Sequence, residues 1–316
     1  MESHRFMKLR RTVLSVPGHL EKMHDKALNS SSDATMLDLE DSVPVDMKVD
    51  ARSRIIQSLL SRDWSRKTVL YRINGIDTPF GYRDILEVVE AVGPVIDAIV
   101  VPKICNSGDV HFVSRMLDGI EQNKGWDRRI GIEASIETAI GLEAVSEIAR
   151  ASDRIQTLVF GVADYSASIG ARLVSLSGHG EKEAEIYPGH RWHFAMSRIV
   201  MAAKANGLQA IDAPYGDFKD PEGLKHSADM ACALGYDGKW AIHPDQIDII
   251  NQTFSPSCED IERARKVLDA HHQATIKGLG AVAVEGRMVD QATVRLAGLL
   301  WEQARHLREL PATRSS

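Results

Sequence analysis

The sequence predicts an α/β fold, a (β/α)8 TIM barrel with a C-terminal helical extension that serves as a lid. Three observations point there. Short apolar, β-branched runs recur along most of the chain. Most of these runs are followed by an amphipathic helical pattern. The runs are also near-continuously apolar rather than alternating, which suits parallel strands covered on both faces. Strand–helix alternation repeated eight times favours a barrel. A doubly wound open sheet is the alternative, but no Gly-rich turn follows an early strand.

The eight runs are residues 12–16, 34–39, 68–73, 98–101, 129–134, 157–161, 208–212 and 239–242. The helical pattern "DARSRIIQSLLSR" (50–62) follows the second, and "YRDILEVVEAV" (82–92) follows the third. "SRIVMAAKANG" (197–207) ends in a glycine placed as a helix C-cap just before the seventh. Residues 170–192 form a long Gly- and His-rich stretch between the sixth strand and the helix before the seventh. Loops of that length are usually functional or mobile. After "FSPS" (254–257) the barrel pattern stops. Two helical patterns follow, 259–276 and 291–308, joined by the hairpin-like "KGLGAVAVEGRMVD". The expected organisation is a catalytic barrel over 1–253 and a helical extension over 254–316. That extension is too small for a large core of its own and is expected to pack on the barrel or on a neighbouring subunit.

Composition excludes several function classes. A net charge of −6, with no basic block longer than Lys8-Leu9-Arg10-Arg11, argues against a nucleic-acid surface. No apolar run approaches the ~18 residues of a membrane helix, and "TVLSV" is too short for a secretory core. Cys105, Cys232 and Cys258 are odd in number and widely spaced, which fits neither a disulfide framework nor a CxxC metal site. They read as reduced, buried or partly buried thiols of a cytoplasmic protein.

Barrel enzymes draw their catalytic groups from the C-terminal strand ends and the loops after them. Those ends carry Asp38, Glu40 and Asp41 after the second strand, Arg72 after the third and Lys103 after the fourth. Glu133 and Glu137 follow the fifth, Asp164 the sixth, Asp212 the seventh and His243 the eighth. One such residue is a solvated strand end, but so many in one mouth need a cation, or they would hold each other protonated. Oxygen-only ligands favour Mg2+ or Mn2+ over zinc. Arg72 reads as a fixed positive fork for a carboxylate or an enolate oxygen.

The chain also carries, in order, "SVPG" (15–18), "LDLEDSV" (37–43), "YRINGIDT" (71–78), "VPK" (101–103), "IETAIGL" (136–142), "FGVADYSAS" (160–168), "IDAPYGDF" (211–218), "GKWAIHP" (238–244) and "EGRMVD" (285–290). In this order and spacing they resemble the malyl-CoA lyase and beta-methylmalyl-CoA lyase group of the citrate lyase beta-subunit-like, HpcH/HpaI aldolase superfamily. The resemblance covers residues 10–300.

The resemblance implies a Mg2+-dependent carbon–carbon lyase, with Mn2+ able to substitute. It implies reversible cleavage of (S)-malyl-CoA to acetyl-CoA and glyoxylate. Beta-methylmalyl-CoA, giving propionyl-CoA, and citramalyl-CoA, giving pyruvate, are the related substrates. It assigns the metal to Glu137 and Asp164, and the oxo acid and thioester oxygen to Arg72. Asp38, Glu40 and Asp41, the last two above all, would hold waters on the metal. Asp290 would enter a neighbouring subunit's site as general acid/base, so the resemblance implies a homo-oligomer, a trimer or hexamer. Ser15, Lys26, Ala163, Asp164, Ala241 and Ile242 match positions that bind the CoA thioester or acid. Leu20 departs from the pattern, since some relatives carry an Arg there near the CoA phosphates. A malyl-CoA thioesterase and a citrate lyase beta-subunit-like protein are the alternatives on the same fold.

Overall fold

A computed structural model describes residues 8–172, 190–276, 278, 282–284 and 286–309. Eight parallel strands close into one barrel in sequence order. They are β1 (Thr12–Pro17), β2 (Ala34–Asp38), β3 (Thr68–Arg72), β4 (Ala98–Val101), β5 (Gly131–Ile136), β6 (Ile155–Phe160), β7 (Gln209–Asp212) and β8 (Gly238–Ala241). β8 returns to pair with β1, so the barrel itself has no open edge.

Helices alternate with the strands: α1 (Glu21–Leu28), α2 (Lys48–Ser61), α3 (Gly81–Val92), α4 (Ser107–Lys124), α5 (Ala139–Glu143), α6 (Val145–Ile148) and α7 (Val162–Ser168), then α8 (His193–Ala205), α9 (Pro221–Leu234) and α10 (Ile247–Thr253). Gly207, at φ 67°, takes the left-handed turn that ends α8. α4 starts with a full capping box, Asn106 accepting from the amides of Gly108 and Asp109.

The strands are buried almost throughout, which is why their apolar runs look continuous in sequence. Alternation still operates inside the barrel. Val13, Ala34, Met36, Leu70, Ala98, Val100, Val159, Ile211 and Trp240 form one interior cluster. By the two-residue period, Asp38 continues the row of Ala34 and Met36, and Arg72 continues that of Leu70. Ser15 lies in register with Met36. Glu133, Ser135 and Glu137 share one face of β5.

That periodicity corrects two strand-end readings. The fifth strand runs over Gly131–Ile136, later than residues 129–134, so Glu133 lies within it rather than at its end. Its carboxylate pairs with Arg10, which also reaches Thr157, low in the barrel. Asp212 follows inward-facing Ile211 and therefore points the other way. It is fully buried against Lys239 at 2.5 Å, and Lys239 also bonds Ser227 of α9. Neither acid belongs to the mouth. The thiols differ from expectation too: Cys105 is partly buried, but Cys232 and Cys258 are exposed.

The chain divides into two compact units, one ending at Asn251 and one beginning at Gln252. In the second, α11 (Cys258–Ile276) and α12 (Gln291–Glu309) flank an antiparallel hairpin of β9 (Val282–Val284) and β10 (Arg287–Val289). Ala264, Val267, Val289 and Ala297 form its small core. Among the described residues, no helix is long and apolar enough to cross a membrane. Most of the 170–192 stretch, residues 173–189, lies outside the described residues.

Candidate active site

The C-terminal ends of β2 to β6 bring five acids and two cations together. Gly18, the last residue of "SVPG", fixes the approach of the first loop. Its amide donates to the Asp38 carbonyl at 2.8 Å, and a Cβ there would lie 2.6 Å from that oxygen. Only glycine allows this contact.

Asp38 and Arg72 are the buried foundation. Arg72 Nε and Nη2 each donate to Asp38 at 2.7 Å, the two-pronged geometry that guanidinium and carboxylate favour. Asp38 also accepts from the Glu40 amide and from the Ser42 amide and hydroxyl. Burial alone would raise the Asp38 carboxyl, but the Arg72 charge and these hydrogen bonds hold it down to about 2. Both Asp38 oxygens are therefore occupied, and its contacts orient Arg72 rather than a water in the mouth. The fork expected to meet substrate is likewise held mostly by Asp38. The remaining prong, Nη1, faces Glu40 Oε2 at 2.9 Å and Asp41 at 3.8 Å. Nη1 and Glu40 Oε2 are close enough for an ion pair but not aligned for a hydrogen bond, and that buried oxygen has no hydrogen-bond donor among the described residues. The Trp240 ring lies 5.7 Å from the Arg72 guanidinium, inside the barrel.

This foundation gives a stability prediction. Asp38→Asn keeps the shape but leaves Arg72 and Glu40 in a buried, unbalanced arrangement. It should cost about 3–5 kcal/mol of folding stability, the scale for breaking a buried ion pair from one side. Urea unfolding checks this, and a loss below about 1 kcal/mol would contradict the role given to Asp38.

Glu137 stands just beyond β5, almost fully buried. Its Oε1 accepts the Lys103 amide at 2.7 Å. Burial, then repulsion from Glu40 and Asp164, pushes its carboxyl up to about 8, against the pull of Arg72 and Lys103. Glu40 is raised as well, chiefly by burial. The chain provides space for Glu137 through Gly161, where a Cβ would fall 2.1 Å from Glu137 Oε2. Asp164 sits in the first turn of α7, three residues on from that glycine.

In sequence Lys103 stands out as a charged strand end and as the last residue of "VPK", with no role assigned, yet among the described residues it touches more of the cluster's acids than any other. Its ammonium donates to Glu40 Oε1 at 2.6 Å and lies 3.6 Å from Asp164 and 4.0 Å from Asp41. Burial would lower its pKa, but Glu40, Glu137 and Asp164 raise it above the ordinary lysine value. A signal was available: a lysine at the end of the strand between those carrying Arg72 and Glu137, facing an excess of acids.

The other expected positions are more dispersed. Ser15 is half-buried on β1, Ala163 is exposed in the first turn of α7, and Ala241 is buried at the end of β8. The Ile242 amide is held by Gln246 Oε1 at 2.9 Å, while its side chain is exposed. Lys26 is exposed in the last turn of α1 and joins none of the cluster's ion pairs. His243 caps a short turn and stacks on Phe218 at 4.8 Å. Asp290, in the second unit, is exposed and begins α12, where its Oδ1 accepts from the Thr293 amide and hydroxyl at 2.8 and 2.9 Å.

A hard divalent cation fits this donor set. The facing groups are carboxylate oxygens, one of them buried with its charge poorly compensated and another without a hydrogen-bond donor. Among the described residues, no three His, Cys, Asp or Glu side chains group closely enough to hold an ion by themselves. Glu137 and Asp164 would be two of its ligands.

Fold and site together define a (β/α)8 barrel with a polar, acid-rich centre at the C-terminal strand ends. The chain belongs to the HpcH/HpaI aldolase/citrate lyase family, which matches residues 11–244. It is similar to the L-malyl-CoA/beta-methylmalyl-CoA lyase of Rhodobacter capsulatus, 40% identical over 302 residues that cover 94% of this chain and 95% of the relative. The malyl-CoA/beta-methylmalyl-CoA/citramalyl-CoA lyase of Chloroflexus aurantiacus is 32% identical over 309 residues, covering 93% and 88%. The crystal structure of CitE from Mycobacterium tuberculosis, in complex with magnesium, acetoacetate and coenzyme A, matches with a TM-score of 0.75 at 29% identity, covering 94% of this chain and 98% of that one.

Proposed function

We propose that this protein is a Mg2+-dependent carbon–carbon lyase that reversibly cleaves (S)-malyl-CoA to acetyl-CoA and glyoxylate, and also takes beta-methylmalyl-CoA and citramalyl-CoA. The observation that carries this reading is the meeting of Glu137, Asp164, Glu40, Asp41 and Arg72 at one mouth. The chain's near full-length similarity to lyases of these thioesters supports it.

Glu137 and Asp164 would hold the ion, with Mn2+ able to substitute. Once bound there, Mg2+ supplies Lewis-acid polarisation of the acid's carbonyl oxygen. Glu40 and Asp41 would orient waters beside it. Cleavage transfers the hydroxyl proton to a base, breaks the bond between the acyl α-carbon and the carbinol carbon, and leaves a thioester enolate. Arg72 is fixed by Asp38 through Nε and Nη2, and Nη1, which rests against Glu40, is the prong that would stabilise the enolate oxygen. Asp290 then delivers a proton to the α-carbon. Ser15, Lys26, Ala163, Ala241 and Ile242 contact the CoA thioester. The protein works in the cytoplasm as a homo-oligomer, a trimer or hexamer, with the extension as a lid over a neighbour's site.

The test is an assay of the purified protein with malyl-CoA, beta-methylmalyl-CoA and citramalyl-CoA, with and without Mg2+, following glyoxylate, pyruvate and free CoA separately. Mg2+-dependent oxo acid without free CoA supports the lyase. Free CoA in step with malate would replace it with a thioesterase.

Gly161→Ala probes the site without substituting a ligand. Its Cβ would displace the Glu137 carboxylate, so Mg2+ affinity and turnover should fall by about 10–100-fold, the scale for losing a ligand's support. Titration calorimetry with Mg2+ reads the effect. Wild-type affinity in a folded Gly161→Ala protein would count against Glu137 as a ligand.

A further inference from the structure

Lys103 is unusual in its backbone as well as its contacts. It is the one described non-glycine residue with positive φ, at 52°. An L-residue holds this left-handed conformation only where its surroundings enforce it, and such residues cluster at functional sites. Here the conformation lets two donors of one residue serve the same cluster. The amide meets Glu137 at 2.7 Å, while the ammonium meets Glu40 at 2.6 Å and stands 3.6 Å from Asp164 and 4.0 Å from Asp41. One residue thus engages acids carried by the loops after β2, β5 and β6.

Charge counting gives the consequence. Among the described residues, Asp38, Glu40, Asp41, Glu137 and Asp164 face two cations, Arg72 and Lys103. Arg72 is committed to Asp38 and Glu40 by buried contacts. The Lys103 side chain is 37% exposed, and its ammonium sits on a flexible stem. Of the two described cations it is the more exposed, since the Arg72 side chain is only 10% exposed.

We propose that Lys103 is a tethered counter-cation of the metal site, its ammonium occupying the carboxylates until a divalent ion displaces it and so setting the site's Mg2+ affinity. Its amide meanwhile keeps Glu137 in place, whichever cation is present. This makes Lys103 a positioning residue with two separable functions. The inference rests on the metal reading above and adds an opposing contribution to it: a nearby fixed positive charge must weaken binding of a divalent cation.

The test uses the full chain stripped of metal, with Mg2+ as the titrant in calorimetry. Lys103→Met removes the ammonium and keeps the amide. Lys103→Gly does the same and suits the positive φ, so it covers the case in which Lys103→Met folds poorly. Both should bind Mg2+ more tightly than wild type, by at least about tenfold on the Coulomb scale of a unit charge a few ångström away. Lys103→Arg, which keeps the charge, should stay near wild type. In thermal melts, the gap between the metal-free and Mg2+-saturated Tm should widen in Lys103→Met and Lys103→Gly. A purely structural ion pair would leave affinity unchanged or lower it in these variants, and either result overturns the inference while leaving the metal site intact. Absence of Mg2+ binding by wild type and variants alike overturns the metal reading and this inference with it.

Discussion

Glu137→Gln is expected to cut the Mg2+-dependent cleavage of malyl-CoA by at least about 10²–10³-fold, and Asp164→Asn to do the same. Glutamine keeps the size of Glu137 and a carbonyl oxygen to accept the Lys103 amide. The buried Glu137 carboxyl is pushed up to about 8 and so is mostly neutral near pH 7 in the metal-free protein, which glutamine matches; the metal-free variant should fold as well as wild type. What it loses is an anionic oxygen donor for a hard cation. The loss should therefore appear as weaker Mg2+ binding and lower turnover at unchanged Tm. Calorimetry, thermal melts and the oxo-acid assay separate these. Wild-type cleavage by either variant at limiting Mg2+ would remove that residue from the ligand set.

The barrel was legible in sequence because parallel strands buried on both sides must be apolar on both sides. All eight expected strands exist, and most differ in their bounds by only a residue or two. The fifth is displaced because Arg129 and Ile130 precede the ladder, which starts at Gly131 and runs on to Ile136. The same continuity hid the inward–outward alternation. Asp212 looked like a mouth residue because it ends an apolar run. Its place one residue after Ile211 turns it outward, towards Lys239. Glu133 lies two residue pairs below the mouth on the inner face of β5, and Arg10 meets it there.

The site was legible as a composition of charges and less so as a set of partnerships. Asp38, Glu40, Asp41, Arg72, Glu137 and Asp164 stand around one mouth. Sequence spacing could not show that Asp38 holds two prongs of Arg72. That pairing depends on the cross-strand register of β2 and β3, which sets Asp38 beside Arg72. Nor could it show that a left-handed lysine ties Glu137 to Glu40, because the turn after β4 is tertiary in origin. The "GVAD" glycine is explained only by the Glu137 oxygen that would meet its Cβ.

Asp290 gives the second large expected effect: Asp290→Asn should be nearly inactive, yet restored in part by a partner chain. Asparagine caps a helix about as well as aspartate, so α12 should keep its start through the Thr293 contacts while the acid/base group is lost. The reading that Asp290 works in a neighbour's barrel makes each site a product of two chains. Glu137→Gln is the better partner variant than one at Arg72, since removing Arg72 would leave buried Asp38 unpaired. Each variant alone should be nearly inactive. In mixed oligomers assembled at random from equal amounts, about one quarter of sites would pair an intact barrel with an intact Asp290, as independent assortment in a closed ring requires. Purification through a different tag on each chain removes the single-type oligomers, so activity of about one third of wild type in a trimer, or about one quarter in a ring of six, is the expected result. Mixed oligomers without recovery, or a fully active monomer on sizing, would return Asp290 to its own chain's site.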